Sequence, residues 1–213
     1  MNTLMQNKLV SGTIIGVILL VGLWGVWKML NGTSKPTQSE VAVDLKVNEA
    51  DWQKGSASAS ATLVEYSDFQ CPACKVYAPL IKEFSEKHKE KIKLVYRHYP
   101  LQQHKNAKVA AYYAEAAGMQ NKFFEMHDKL FEGQSNWEES SKPEEIFVTY
   151  AEELKLDIEK LKKDADSATA KDSVNSDLNS GTAAGVNATP TFYFNGKKIS
   201  SPQSLEEFEK LLQ

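Results

Sequence analysis

The sequence predicts an α/β fold: a sheet made from an early and a late group of strands, an inserted helical domain between them, and an N-terminal transmembrane helix ahead of both. Three observations predict it. Residues 9–27 carry no charged side chain. Strand-like runs at 62–66 and 92–96 are separated from another at 191–194 by a long stretch of helical periodicity. Cys71-Pro72-Ala73-Cys74 stands where the first of those strands passes into a helical pattern.

The chain has 213 residues, enough for one well-packed domain and an accessory segment. Its composition is 42% hydrophobic and 25% charged, with a formal net charge of −3. That balance argues against a nucleic-acid partner, which calls for a basic face. Only two cysteines are present and both belong to one motif. They cannot build a disulfide framework, so they point to chemistry, and a chain with no stray thiol suits an oxidising compartment.

Residues 1–8 read as a short tail and 9–30 as the anchor. At about 1.5 Å per residue the uncharged run roughly spans a bilayer core. Trp24 and Trp27 lie at its far end, where an aromatic belt sits. A cleaved signal peptide is the competing reading. Its exit calls for small residues, and Trp24-Gly25-Val26-Trp27-Lys28 offers no such site. Lys8 on one side and Lys28 and Lys35 on the other leave the orientation open. Residues 31–61 read as a polar linker with a short strand around 41–47 and a Gly/Ser/Ala stretch from Gly55 to Ala61.

The first half of the folded part covers 62–102. Thr62 to Tyr66 is a buried strand, and Val76, Leu80, Ile81 and Phe84 follow Cys71 at helical spacing. Pro72 fits the first turn of that helix, whereas Pro79 lies deep enough to kink it. Ile92 to Tyr96 is the next strand. Residues 103–184 form the helical insertion. Helices are expected at 106–117 and 121–132, then one opened by Ser141-Lys142-Pro143-Glu144 as a capping box, one capped by Asp157, and one from Ser167 to Ala184. Residues 185–213 return to the sheet: Thr191 to Phe194, an Asn195-Gly196 hairpin turn, Lys197 to Ser200, and a last helix capped by Ser204.

A Cys-x-x-Cys on the first turn of a helix holds two thiols within bonding reach. The first cysteine meets unpaired backbone N–H groups and the positive end of the helix dipole, which favour the thiolate. Cys71 is the expected nucleophile and Cys74 the resolving thiol. Thr189-Pro190 precedes a late strand, and a cis-proline there presents backbone to a substrate peptide. Glu65, within an apolar strand six residues before Cys71, is placed to exchange protons with Cys74. Half a zinc site is the competing reading of the cysteines, but His88, His98, His104 and His127 form no finger-like pair. His98 reads as a surface or capping residue, Phe123, Phe124 and Phe131 as core, and Asp164, Asp166 and Asp172 as a solvated face. No metal and no cofactor is expected. Asn31-Gly32-Thr33 and Asn187-Ala188-Thr189 match the glycosylation pattern weakly.

The segment Glu65-Tyr66-Ser67-Asp68-Phe69-Gln70-Cys71-Pro72-Ala73-Cys74 resembles the active-site segment of the DsbA-like thioredoxin-fold family. Tyr96-Arg97-His98-Tyr99-Pro100-Leu101 and Gly185 to Phe192 are similar to its other recurring segments. The resemblance covers about Gly55 to Gln213. It implies a thioredoxin fold interrupted by a helical domain, with Cys71 as nucleophile, Cys74 as resolving thiol, Pro190 as cis-proline and Glu65 as buried acid. Pro72, Ala73 and Thr189 are then the supporting residues. Ala73 departs from the Pro-His dipeptide of the best-known oxidases. The expected activity is disulfide oxidation of exported polypeptides by a single-pass cell-membrane protein whose catalytic domain is extracytoplasmic and whose cysteines a membrane redox partner recharges. A reductase or isomerase is the alternative within this chemistry; a non-enzymatic polypeptide- or metal-binding protein is the alternative outside it.

Overall fold

The computed structural model describes residues 45–213. The anchor at 9–30 and residues 31–44 of the linker lie outside these residues. No helix among the described residues is long and apolar enough to cross a membrane. Of the strand expected at 41–47, residues 41–44 lie outside the described residues and 45–47 carry no strand; β1 is Trp52–Lys54.

The sheet has five strands in the order β1-β3-β2-β4-β5. β2 (Ala61–Ser67) lies at its centre, parallel to β3 (Ile92–His98) and antiparallel to β4 (Thr191–Phe194). β1 and β5 (Lys197–Ile199) are the antiparallel edges. β2 is buried on both faces, which explains why its residues read as a nearly continuous apolar run. Asn195 and Gly196 both take positive φ, 49° and 77°, the backbone that a two-residue hairpin turn demands.

Alternation along β2 sends successive side chains to opposite layers. Leu63 packs with Ile92, Leu94 and Phe192 against Tyr77, Ile81 and Phe84 of α1 (Pro72–Lys87) and Phe208 of α8 (Leu205–Lys210). Val64 and Tyr66 face the other way, with Val95, Tyr99 and Tyr193. α7 (Ala168–Ala183) covers that second face, where the Tyr66 hydroxyl meets Ser180 Oγ at 2.9 Å. α1 runs on through Pro79.

Between β3 and α7 come α2 (Ala107–Gly118), α3 (Phe123–Glu132), the short α4 (Gln134–Trp137), α5 (Pro143–Glu153) and α6 (Ile158–Ala165). They enclose Met126, Leu130, Trp137, Phe147 and Leu161, and Phe123 and Phe131 belong to this core. Asp157 caps α6 by accepting from Lys160 N at 3.0 Å, and Ser167 caps α7 by accepting from Ala170 N at 3.2 Å. α6 extends past Leu161 to Ala165. The capping box at Ser141 does not form. Lys142 holds the cap position of α5 without a side-chain bond, and Ser140 Oγ accepts from Lys142 N instead. Pro143 sets the helical φ of the first turn unaided, so the helix starts there and the cap falls on Lys142 instead of Ser141.

Candidate active site

Cys71 occupies the cap position of α1 and Pro72 its first turn. Cys71 N donates to Asp68 O at 3.0 Å, which closes the turn between strand and helix. The buried Asp68 carboxylate fixes this turn. It accepts from Gln70 N at 2.7 Å, from Leu101 N at 2.8 Å and from His104 Nδ1 at 2.6 Å.

The helical insertion grips the same turn from above. Gln134 Nε2 donates to Phe69 O at 2.7 Å and to Cys71 O at 3.1 Å. Gln70 Oε1 accepts from Asn106 N at 2.7 Å, and Asn106 Nδ2 donates to the carbonyls of Trp137, Glu138 and Ser140. Sequence reasoning missed Asp68, His104, Gln134 and Asn106 as parts of the site. Asp68 lies inside the segment that carried the family resemblance; the others join it only through tertiary contacts.

Both cysteines are free thiols. Cys71 is 6% exposed and Cys74 is fully buried. Across from them the Thr189–Pro190 peptide is cis, and Thr189 O accepts from Cys71 Sγ at 3.4 Å. The segment expected to present backbone to a peptide therefore touches the outer thiol.

The two thiols differ in acidity. Cys71 is lowered to about 5, chiefly by the hydrogen bond from the Cys74 thiol, with Thr189 and the amides of Cys74 and Ala73 adding to it against the opposing effect of burial. Cys74 is pushed up by burial first, then by Cys71 and the nearby Glu65 charge. Near neutrality the pair thus holds one proton, on the inner sulfur. Only the outer sulfur is a ready nucleophile and a good leaving group.

Glu65 lies on β2 beneath the thiols and is 2% exposed. Burial raises its carboxyl to about 7, with Ser67 opposing weakly. It is neither charged outright nor locked neutral near pH 7, the condition that suits a group exchanging protons with a neighbour. His98 corrects an expectation. It is buried, not at the surface, and its Nε2 donates to Glu115 Oε1 at 3.0 Å. The same carboxylate oxygen accepts from Trp52 Nε1 at 2.8 Å, so Glu115 fastens both β3 and β1 to α2.

A central parallel strand pair, an antiparallel hairpin beside it and paired thiols on the first helix define a thiol–disulfide oxidoreductase of thioredoxin fold with a helical insertion. The chain belongs to the family described as Thioredoxin, whose model matches residues 48–213. Its solved structural neighbours are of the DsbA kind. BdbD from Bacillus subtilis, in its oxidised form, is 27% identical with a TM-score of 0.68, covering 76% of this chain and 91% of that one. α-DsbA1 from Wolbachia pipientis superposes with a TM-score of 0.71 over 79% of this chain and 92% of that one; at 18% identity it speaks for the fold alone. A relative named Na(+)/H(+) antiporter NhaA 3, from Salinispora tropica, is 33% identical over 79% of this chain but only 26% of its own length. The chain spans about a quarter of the curated relatives it matches first.

Proposed function

We propose that the chain is a disulfide oxidase for exported polypeptides. In this reading residues 9–30 tether it to the cell membrane, the folded domain faces the extracytoplasmic side, and a membrane redox partner reoxidises it. The feature that carries the direction is the place of Cys71 at the cap of α1, where the Cys74 thiol and the amides of Cys74 and Ala73 hold its pKa down, to about 5. A thiolate that the fold stabilises favours the reduced pair over its disulfide, and the disulfide is then the stronger oxidant.

The reaction runs in two exchanges. A client thiolate attacks Cys71 Sγ of the Cys71–Cys74 disulfide, and Cys74 leaves with the electron pair of that bond. A second client thiolate then attacks its own sulfur in the mixed disulfide, and Cys71 leaves as the thiolate. The client gains one disulfide and the enzyme two electrons. Thr189 O beside Cys71 offers the client backbone an acceptor, with Pro190 holding that peptide in place. Glu65 returns a proton to Cys74.

Cys71→Ser in the full chain should abolish dithiol oxidation, and Cys74→Ser should accumulate covalent mixed disulfides with clients. Full activity in the first variant or an empty trap in the second contradicts the proposal. Ala73 favours the reductase or isomerase reading as runner-up, since a histidine there would add a cation beside the thiolate. Stoichiometric zinc on the reduced protein would instead favour a binding role.

A further inference from the structure

Around Glu65, beneath the thiols, lie two buried hydroxyls that the exchange reaction leaves unused, those of Ser67 and Tyr96. Glu65 and Ser67 are two apart on β2 and share the face that carries α1. The parallel register sets Glu65 beside Tyr96 and Ser67 beside His98. Ser67 and Tyr96 are each 1% exposed. Ser67 Oγ and the Tyr96 hydroxyl have no hydrogen-bond partner among the described residues. Ser67 Oγ nevertheless lies beside Glu65, Cys74 and Tyr96 together. Buried hydroxyls without partners are unfavourable and rare. Arg97, next along β3, is committed to the opposite face, where it binds Asp51 and the Tyr66 hydroxyl.

We propose that the Ser67 hydroxyl passes the proton between Cys74 and Glu65, and that the Tyr96 hydroxyl holds it in line. The inference rests on Cys74 being the inner partner of Cys71. When Cys74 attacks a mixed disulfide at Cys71, its S–H proton goes to Ser67 Oγ while the serine O–H proton goes to the Glu65 carboxylate. The Cys74 electron pair forms the Cys71–Cys74 bond, and the leaving thiolate takes the pair of the broken bond. In the oxidase direction Cys74 departs as a thiolate and the same protons move back. The serine ends each turn as it began. Other ionisable groups on the elements packed here are Cys71 of α1, His98 of β3, Glu115 of α2, His127 and Asp128 of α3, and Asp68 before the motif.

The test is the reaction of the reduced full chain with a symmetric aromatic disulfide that releases a coloured thiolate at each step. The first release reports attack by Cys71 and the second reports attack by Cys74. Ser67→Ala should leave the first rate unchanged and slow the second by about tenfold or more near neutral pH, since positioned proton transfer carries factors of that order. The deficit should shrink as pH rises and hydroxide takes the Cys74 proton. Ser67→Thr should restore the rate, and Tyr96→Phe should show the same pattern in milder form. A second step within about twofold of the parent overturns the relay, given the factors such transfers carry. So does a loss that is equal at all pH values or that threonine fails to rescue. Absence of the first release would instead overturn the assignment of Cys71, a failure distinct from that of the relay.

Discussion

Single residues set the chemistry, through burial and a few hydrogen bonds. Cys71 is lowered to about 5, so the thiolate absorbance of the reduced chain should titrate near that pH. Cys71→Ser should remove the transition; a midpoint near the ordinary thiol value would contradict the geometry. Glu65 carries a stability consequence of opposite sign. Its folded-state pKa is raised from 4.5 to about 7, so the folded chain keeps a proton that the unfolded chain has already released. Stability therefore falls as pH rises from 4.5 to about 7 and stays lower above it, by about 3 kcal/mol. Glu65→Gln removes that dependence. Guanidinium unfolding should show the variant gaining on the parent through this window and no gap from this source below it. A gap independent of pH would count against a buried, proton-holding Glu65.

At the scale of elements, short-range rules account for much of the fold. Asn195-Gly196 specifies a hairpin through its own backbone preferences, and Asp157, Ser167 and Ser204 cap helices within three residues of themselves. Cys71-Pro72 marks a helix start for the same local reason. What was not legible depends on partners distant in sequence. β1 is three residues with no alternation, and it exists because Trp52 stacks on Phe123 at 4.5 Å and donates to Glu115. His98 reads as a surface histidine until α2 brings Glu115 over it. Ser141 misled because a proline two positions on starts the helix without its help. Gly181 of α7 belongs with these. An added Cβ would lie 2.7 Å from Tyr99 Cδ2 and 2.9 Å from Tyr66 Cδ1, so the glycine lets α7 approach the sheet. Alanine has the better helix propensity, yet Gly181→Ala should lower stability by about 1–3 kcal/mol through overpacking. A rise in the unfolding midpoint would show that α7 has room to move.

At the scale of the whole domain, the helical insertion and the thioredoxin-type sheet meet at the turn that carries Cys71. Asn106 ties the start of α2 to three carbonyls around the end of α4, and Gln134 reaches from α4 to the carbonyls of Phe69 and Cys71. Asn106→Ala leaves those carbonyls without their shared donor and should cost about 2 kcal/mol or more. Its denaturant midpoint should fall, with cysteine reactivity changing alongside; an unchanged midpoint would mean the insertion and the sheet are held together elsewhere. The direction of electron flow is a property of the whole domain too, because the folded environment sets the balance between thiolate and disulfide. The measurement that tests this most directly is the reduction potential of the full chain, equilibrated in glutathione buffers. A Cys71 value of about 5 stands between the roughly 3.5 of the strongest oxidants of this fold and the roughly 7 of thioredoxin. The account predicts a potential well above the about −270 mV of thioredoxin, on the side of the about −120 mV of the strongest oxidant. A result at about −270 mV would contradict it and make the chain a reductase that must be supplied with electrons.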